Sequence, residues 1–260
     1  MGTPSDPHPS PMLYPINEVF FSIQGEGIST GKQAVFIRFS GCNRSCSFCD
    51  TPDETRLLLS PERLAQAARD LWPYPDPFPS PHRTAEKDLT DALVILTGGE
   101  PLIRDLRPLL VALRKEGFTR IHVETNGDKL TPPGPASDFP WGMFSFLSIA
   151  PKWGHGPEGE IDLESLLPSQ VYTRQILAPF EIKLLIGPGE IGSALLRKKI
   201  TIIETAYPGA SRYWLIPIDP GGRKPYLERI RKILSPLTRE AWRYPSWSIG
   251  LQAHKLLEIP

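Results

Sequence analysis

One stretch of the chain decides its fold: Gly41-Cys42-Asn43-Arg44-Ser45-Cys46-Ser47-Phe48-Cys49-Asp50-Thr51. It holds all three cysteines of the 260-residue chain, spaced C-x3-C-x2-C. Disulfide pairing would leave one thiol over. A closed zinc site takes four ligands, and an electron-transfer [4Fe–4S] cluster usually takes four cysteines. Three thiolates therefore indicate a [4Fe–4S] cluster with one open iron, and the alternative is a zinc site completed by a distant histidine. We call residues 41–51 the cluster loop.

The composition is that of an ordinary globular protein. Lys+Arg and Asp+Glu are equal at 29 each, so no net charge attracts nucleic acid or acidic lipid. No run approaches the roughly 18 apolar residues of a membrane span, and the N-terminus lacks an apolar signal core. We therefore predict a protein that binds neither nucleic acid nor membranes. We also predict that it is cytoplasmic, because a reducing compartment suits a thiolate cluster.

The 30 prolines are clustered, which indicates stiffened loops. We predict a disordered tail over residues 1–13 and a single domain over 14–260. Two Pro-rich insertions fall near 72–88 and 129–141.

Strand-like and helix-like segments alternate along the chain. Strands are predicted at Val19–Ile23, Ala34–Phe39, Ala92–Leu96, Arg120–Val123, Phe144–Ile149, Ile182–Ile186 and Tyr213–Ile216. Helices are predicted over Ser60–Leu71, around Leu106–Leu113, around Gly192–Lys199, and at the apolar positions Leu227, Ile230 and Leu234. The alternation predicts an α/β fold, a partial and open β/α barrel of about six β/α units, since six are too few for a closed eight-stranded barrel.

Glycine-containing turns follow several of these strands. They are Gln24-Gly25-Glu26-Gly27, Thr97-Gly98-Gly99-Glu100-Pro101 and Glu124-Thr125-Asn126-Gly127. In parallel α/β folds, ligands bind beyond the carboxyl ends of the strands, and glycine lets the backbone come close to a ligand. The first turn, taken alone, is more typical of an ordinary connection than of a ligand site.

The cysteine spacing, with Phe48 before the last cysteine, resembles the radical S-adenosylmethionine (SAM) enzymes. That resemblance implies a fold of the radical SAM type, in which the three cysteines bind a [4Fe–4S] cluster and SAM chelates the fourth iron. The order of the cysteines, Gly98-Gly99-Glu100 and the 124–127 turn agrees with it. The reduced cluster would pass an electron to SAM, giving a 5′-deoxyadenosyl radical.

Four further segments are similar to the 7-carboxy-7-deazaguanine synthase family. They are Ile23–Gly27, Arg38–Asn43, Cys49–Thr51 and Gln252-Ala253-His254-Lys255. The resemblance covers about Tyr14 to Pro260. It implies a lyase that converts 6-carboxy-5,6,7,8-tetrahydropterin to 7-carboxy-7-deazaguanine and ammonia, for queuosine-type 7-deazapurines. It also implies a homodimer and an external electron donor of the flavodoxin or ferredoxin type.

The resemblance assigns a role to each matching position. The metal ligands would be Cys42, Cys46 and Cys49 for the cluster, and Thr51 for Mg²⁺. The substrate would be bound by Ile23, Gln24, Gly25, Glu26, Arg38, Thr97, His254 and Pro260, with Arg38 and His254 catalytic. SAM would contact Phe48, Cys49, Asp50, Gly98, Gly99, Glu100, Glu124, Asn126, Ala150, Pro151, Lys152, Ile216, Pro217, Ile218 and Asp219. Ala150 stands where the family often has serine.

The residue types suit these roles. The Arg38 guanidinium can grip a substrate carboxylate with two parallel hydrogen bonds. The Thr51 hydroxyl is a hard oxygen ligand of the kind that Mg²⁺ prefers. The Gln24 amide can pair with the donors and acceptors of a pterin edge, and His254 can move a proton. Two other readings stay open: a radical SAM activase that makes a glycyl radical on a partner protein, and a non-catalytic zinc or iron–sulfur binding module.

Overall fold

The computed structural model describes residues 12–51, 54–73, 89–130, 141–152, 176 and 178–259. The predicted tail, apart from its last two residues, lies outside this part of the chain, and so does most of each Pro-rich insertion. Pro260 is outside it as well.

The described residues form one nine-stranded sheet with the order β3-β1-β2-β4-β5-β6-β7-β8-β9. β1 is antiparallel to both β2 and β3, and the strands from β2 through β4 to β9 are parallel. The bounds are β1 Tyr14–Ile23, β2 Gln33–Phe39, β3 Leu57–Leu59, β4 Leu93–Gly98, β5 Arg120–Thr125, β6 Phe146–Ile149, β7 Phe180–Ile186, β8 Arg212–Pro217 and β9 Trp247–Ile249. The sheet does not close on itself within these residues, which confirms the open barrel.

Helices connect the parallel strands. They are α1 Pro61–Leu71, α2 Arg107–Lys115, α3 Ala194–Ala206, α4 Tyr226–Ala241 and α5 Ala253–Leu257. The buried faces of α1, α2 and α3, and Leu237 of α4, pack on the sheet in one large apolar core. A smaller cluster of Ala34, Phe36, Leu93 and Ile95 occupies the opposite face of β2 and β4. None of the helices in the described part of the chain combines the length and apolar character needed to cross a bilayer.

The predicted start of α1 is confirmed in detail. Ser60 is the N-cap, and its hydroxyl accepts a hydrogen bond from the Arg63 backbone N–H (3.3 Å). Pro61 stands at the first helical position and Glu62 near the positive end of the helix dipole.

The register predicted for α4 is wrong by one position at its start. Leu227 is 50% exposed, and the helix instead buries Tyr226, Ile230, Ile233 and Leu237. The aromatic ring of Tyr226 provides the first core contact, which a search for aliphatic residues overlooks.

Two short strands were not predicted. β3 is an edge strand in which Leu57 and Leu58 remain exposed, so it lacks an alternating pattern. β9 pairs with β8 through Tyr213–Trp247 and its neighbours, and its three residues are too few for a periodic signal.

Candidate active site

A cavity of about 650 Å³ opens at the carboxyl ends of the parallel strands. Its volume is in the range of small-molecule sites. Loops after six strands and the C-terminal segment 252–259 contribute to its wall. The edge of the sheet that the turn motifs predicted is therefore the edge that carries the cavity.

Most of the predicted site residues line this cavity. From the proposed metal set they are Cys42, Cys46, Cys49 and Thr51. From the substrate set they are Ile23, Gln24, Gly25, Glu26, Arg38, Thr97 and His254. From the SAM set they are Phe48, Cys49, Asp50, Gly98, Gly99, Glu124, Asn126, Ala150, Lys152, Pro217, Ile218 and Asp219.

Three residues of the predicted SAM set stand behind the wall. Glu100, Pro151 and Ile216 are buried and do not line the cavity. Glu100 instead accepts hydrogen bonds from the Thr125 hydroxyl (2.7 Å) and the Asn126 backbone N–H (2.7 Å). Its carboxylate thereby joins the turns after β4 and β5, and burial raises its pKa above the ordinary value.

A buried lysine lies at the centre of the polar wall. Lys183 Nζ donates to Glu26 Oε2 and to Glu124 Oε1, each at 3.0 Å, and its side chain is only 5% exposed. Burial by itself would raise the pKa of both carboxyls, but the ammonium between them holds the pKa of each below its ordinary value. The same carboxylates raise the pKa of Lys183 against the effect of its own burial.

Neutral side chains donate further hydrogen bonds to the same two carboxylates. Glu124 also accepts from the Thr97 hydroxyl (2.7 Å) and from Gln24 Nε2 (3.1 Å). Glu26 accepts from Gln252 Nε2 (2.7 Å). Glu124 was predicted to contact SAM, but the structure groups it with Gln24 and, through Lys183, with Glu26 from the substrate set.

Glu181 supports this group from below. Its carboxylate accepts from the Ile28 backbone N–H (2.8 Å), the Ser148 hydroxyl (2.9 Å) and Trp214 Nε1 (2.7 Å). These donors come from three different segments, so Glu181 fixes the turn after β1 against β6 and β8.

Arg38 reaches the cavity from β2. Its Nη1 pairs with Glu18 Oε1 (2.8 Å), and its guanidinium carbon lies 5.0 Å from the centre of the Phe20 ring. The side chain is 25% exposed, so Arg38 can turn donors toward a ligand while it remains stacked on Phe20.

The three cysteines are free thiols on the wall of the cavity. Burial raises the pKa of Cys42 and of Cys46, whereas the nearby Lys152 ammonium acts on Cys46 in the opposite direction. In the described residues, no three His, Cys, Asp or Glu side chains are gathered as a metal site. Cys49 Sγ instead donates to the Thr51 carbonyl (3.6 Å). This contact is weak, so it leaves the thiol available to a metal. Three thiols on one loop fit a cluster that brings them together when it binds.

Side-chain bonds hold the cluster loop against the turn after β5. Arg44 donates to Asp128 through Nε (2.6 Å) and Nη2 (2.8 Å). Asn43 Nδ2 donates to the same carboxylate (2.7 Å), and Asn126 Nδ2 donates to Asn43 Oδ1 (2.9 Å). The short contacts that hold the loop to this turn therefore come from residues between the cysteines, whereas the thiol of Cys42 accepts only a long bond from Asn126 Nδ2 (3.9 Å).

Backbone contacts place the glycine turn after β4 against the start of the cluster loop. Gly99 N donates to the Phe39 carbonyl (2.9 Å), and Glu100 N donates to the Gly41 carbonyl (3.0 Å). A Cβ on Gly99 would lie 2.0 Å from the Gly41 oxygen. The sequence-based prediction was that glycine is needed here because the cofactor comes close to the backbone. In the structure, the group that leaves no room for a side chain is the Gly41 carbonyl of the cluster loop.

The same reasoning applies to Gly25. A Cβ there would lie 2.0 Å from His254 Nδ1, so residue 25 can have no side chain if α5 is to pack against the turn after β1. Burial lowers the pKa of His254 below its ordinary value, which leaves the imidazole neutral near pH 7.

Comparison with known proteins agrees with this geometry. Residues 36–138 match the model of the radical SAM superfamily. The chain is 30% identical over 251 residues to the 7-carboxy-7-deazaguanine synthase of Bacteroides thetaiotaomicron, covering 95% of this chain and 100% of that protein. It is 27% identical over 246 residues to the synthase of Haemophilus influenzae, covering 94% and 93%. The fold matches the crystal structure of QueE from Escherichia coli with a TM-score of 0.58 and 24% identity, over 93% and 95% of the two chains.

The open barrel with a three-cysteine loop at its carboxyl edge defines a radical SAM enzyme, a class that uses a [4Fe–4S] cluster and SAM. Within that class, the full-length similarity shows that this chain belongs to the 7-carboxy-7-deazaguanine synthase family.

Sequence reasoning missed several residues of the site. They include Arg44, Ser148, Lys183, Gln252 and Lys255, which line the cavity. Lys183 had a signal, because it and Glu181 are the charged residues of a strand that is apolar at its other positions, and a lysine in such a strand needs a buried partner. Gln252 and Lys255 flank His254 in a quoted motif, but their partners come from loops that sequence cannot place.

We predict that Lys183→Met lowers the free energy of unfolding by roughly 3–5 kcal/mol at pH 7, because it leaves two mostly covered carboxylates without the ammonium that balances their charge. The sign of the pH dependence should also change. In the unsubstituted protein the depressed carboxyl pKa values give stability that is complete above about pH 4.3 and is lost as the pH falls further. Without the ammonium, burial raises those pKa values, so the variant should become more stable as the pH is lowered from 7 to 5.

Urea unfolding at pH 5, 6 and 7 measures this difference. Lys224→Met is the matched control, because Lys224 forms an exposed ion pair with Glu228 (2.6 Å) and should have little effect. Parallel pH curves for Lys183→Met and the unsubstituted protein would contradict the assigned role.

We further predict that Gly99→Ala destabilises the fold by about 1–3 kcal/mol, because the added methyl overlaps the Gly41 carbonyl. Displacing that carbonyl shifts the entry to the cluster loop, so iron bound per chain after anaerobic reconstitution should fall. Gly189→Ala is the control, since a Cβ at Gly189 meets nothing within 4 Å. Equal iron content in the two variants would show that Gly99 does not position the cluster loop.

Proposed function

We propose that this enzyme converts 6-carboxy-5,6,7,8-tetrahydropterin to 7-carboxy-7-deazaguanine with loss of ammonia. The names of its relatives give this product for those proteins. The observation that carries the proposal is one cavity with a three-cysteine loop on one side and a dense set of polar groups on the other. A small polar ring system held between these sides would meet the cofactor at one edge and hydrogen-bonding groups at the other.

The predicted cofactors match the donor set. When bound, the reduced cluster and SAM supply the radical that removes a hydrogen atom from the substrate. Cys42, Cys46 and Cys49 would hold the cluster. The cavity-lining members of the SAM set, among them Gly98 and Asp219, would hold SAM.

The wall around Lys183 suits the heterocyclic edge of a pterin. Carboxylates accept hydrogen bonds, so Glu26 and Glu124 can take the ring N–H and amino donors. The Lys183 ammonium, placed between them, can donate to a ring oxygen. A neutral His254 beside Gly25 can give or take a proton at the same end of the cavity.

The carboxylate of the substrate requires a cation at the other end of the ring. Arg38 lines the cavity and is paired with Glu18, so a second carboxylate would share or replace that partner. Thr51 lies on the wall two residues after Cys49, and we propose that it binds Mg²⁺. That ion would neutralise part of the carboxylate charge and orient it.

The activase reading is less well supported. A glycyl radical activase must admit a polypeptide loop, and its site would not need a compact set of hydrogen-bonding groups. Here Lys183 and Gln24 are buried, Glu26 and Glu124 are each partly covered, and all four meet within hydrogen-bond distance of a neighbour. This closed polar wall favours a small molecule over a peptide.

The remaining partners are part of the proposal. An external flavodoxin or ferredoxin would supply electrons, in keeping with a cytoplasmic location. The edge of the sheet supports a homodimer, because Met12, Leu13, Leu57 and Leu58 are 40–61% exposed beside β1 and β3.

The decisive experiment is an anaerobic assay of reconstituted protein with SAM, dithionite and the carboxylated pterin. Mass spectrometry should show 7-carboxy-7-deazaguanine and 5′-deoxyadenosine. Cys46→Ala is the control and should form neither, because a cluster ligand is lost. Formation of 5′-deoxyadenosine without the deazapurine would reject the substrate, and stoichiometric zinc in place of iron would reject the enzyme class.

We predict that Arg38→Ala mainly raises KM for the carboxylated pterin. Losing a partly desolvated bidentate pair costs on the order of 2–5 kcal/mol in binding. Slow cleavage of SAM without substrate should persist, because Arg38 does not hold the cluster. The measurement is KM and kcat for the pterin, with Arg63→Ala on the exposed face of α1 as control. A fall in kcat at unchanged KM would contradict this role.

Thr51→Ala should change the dependence of turnover on Mg²⁺ and leave the iron content intact, because it removes a hydroxyl and no thiol. We expect the concentration of Mg²⁺ that gives half-maximal turnover to rise by about tenfold, as for loss of one ligand interaction. Thr55→Ala, at an exposed position four residues later, is the control. An identical Mg²⁺ titration for Thr51→Ala would remove this residue from the metal site.

A further inference from the structure

The C-terminal segment Gln252–Lys255 touches three loops that lie far from it in sequence. The Ala253 backbone N–H donates to the Gly25 carbonyl (2.8 Å), and Gln252 Nε2 donates to Glu26 (2.7 Å). Lys255 Nζ lies 2.7 Å from Asp50 Oδ2 and 3.4 Å from Asp219 Oδ2. The segment thus contacts the turn after β1, the cluster loop and the loop after β8.

Polar contacts and not apolar burial hold this segment in place. Helix α5 is only five residues long and has no buried residue. An isolated helix of this length is unstable in water. Its position therefore depends on the hydrogen bonds and ion pairs that it makes with the three loops.

The two carboxylates bound by Lys255 differ in how firmly they are fixed. Arg229 grips Asp219 through two bonds of 2.8 and 2.7 Å, and Gly221 N donates to the same carboxylate (3.0 Å). The Asp219 side chain is 8% exposed, whereas that of Asp50 is 59% exposed. Asp219 is a fixed anchor, and Asp50 is the exposed partner that Lys255 ties to it.

We infer that Lys255 is a positioning residue that fixes the cluster loop across the cavity by bridging Asp50 to Asp219. Asp50 directly follows the cluster ligand Cys49, so its tether sets where the end of the loop lies. The adjacent His254 packs against Gly25 on the polar side of the cavity, so two neighbouring residues of one short helix touch both sides. One turn of helix thus sets the distance between the cysteine side of the cavity and the polar side.

The consequence for catalysis rests on the proposed function. Misplacing reacting groups by about 1 Å can lower a rate by roughly 10²-fold. A loosened cluster loop would still bind iron through its cysteines but would hold the cofactor out of register with the substrate. Cleavage of SAM would then be less tightly coupled to formation of product.

The bridge itself can be tested without cofactor or substrate. Hydrogen exchange of the full chain should show that Lys255→Ala and Asp50→Asn each speed exchange of backbone amides in residues 42–51 by about fivefold, as for loss of a local tether. Lys224→Ala, which breaks an exposed local ion pair away from the loop, should not. Lys255→Arg should restore slow exchange, because it keeps the cation. Unchanged exchange in the cluster loop, or faster exchange throughout the chain, would overturn the inference.

The functional readout is the number of 5′-deoxyadenosine molecules formed per product molecule. Lys255→Ala should raise this ratio several-fold at unchanged iron content, and Lys255→Arg should bring it back. A wrong substrate would abolish product for every variant, including the unsubstituted enzyme, but would leave the exchange result standing. Faster exchange with an unchanged ratio would show that Lys255 stabilises the loop without positioning it for the reaction.

Discussion

The ammonium of Lys183, buried between Glu26 and Glu124, is the interaction on which the site depends. The three residues come from β7, from the turn after β1 and from the end of β5, so their contact ties together strands that are not neighbours in the sheet. Removing charges from water costs several kcal/mol per ion, and only close pairing offsets that cost. The lysine and the two carboxylates are therefore stable in this position only when all three are paired, which gives the wall of the cavity a single defined shape.

The cavity has two sides that are held by different means. The polar side is fixed by charged and neutral hydrogen bonds around Glu124 and Glu181. The cysteine side is fixed by backbone contacts between Gly99 and Phe39, and by the grip of Arg44 on Asp128. Because the thiols themselves contribute little to these contacts, the cluster loop keeps its place in the fold while its cysteines remain available to a metal.

Residues of the family motifs do not all serve the ligand directly. Glu100 lies behind the wall and joins two turns, and Gly99 is bare because Gly41 occupies the space of a side chain. A motif can thus mark the support of a site as well as its surface. Lys255, which ties Asp50 to Asp219, belongs to the same group of supporting residues.

The sequence alone determined the alternation of strands and helices, the open barrel and the loop that carries the cysteines. These are local properties: the apolar run of β4, the cap at Ser60 and the cysteine spacing are each written in a few neighbouring residues. Only the tertiary structure decided that Glu124 faces Gln24 and Lys183, that Glu100 is turned away from the cavity, and that Lys255 reaches the cluster loop. The physical reason is that a charged side chain takes its role from its partner, and these partners come together only when distant strands are placed side by side in one sheet.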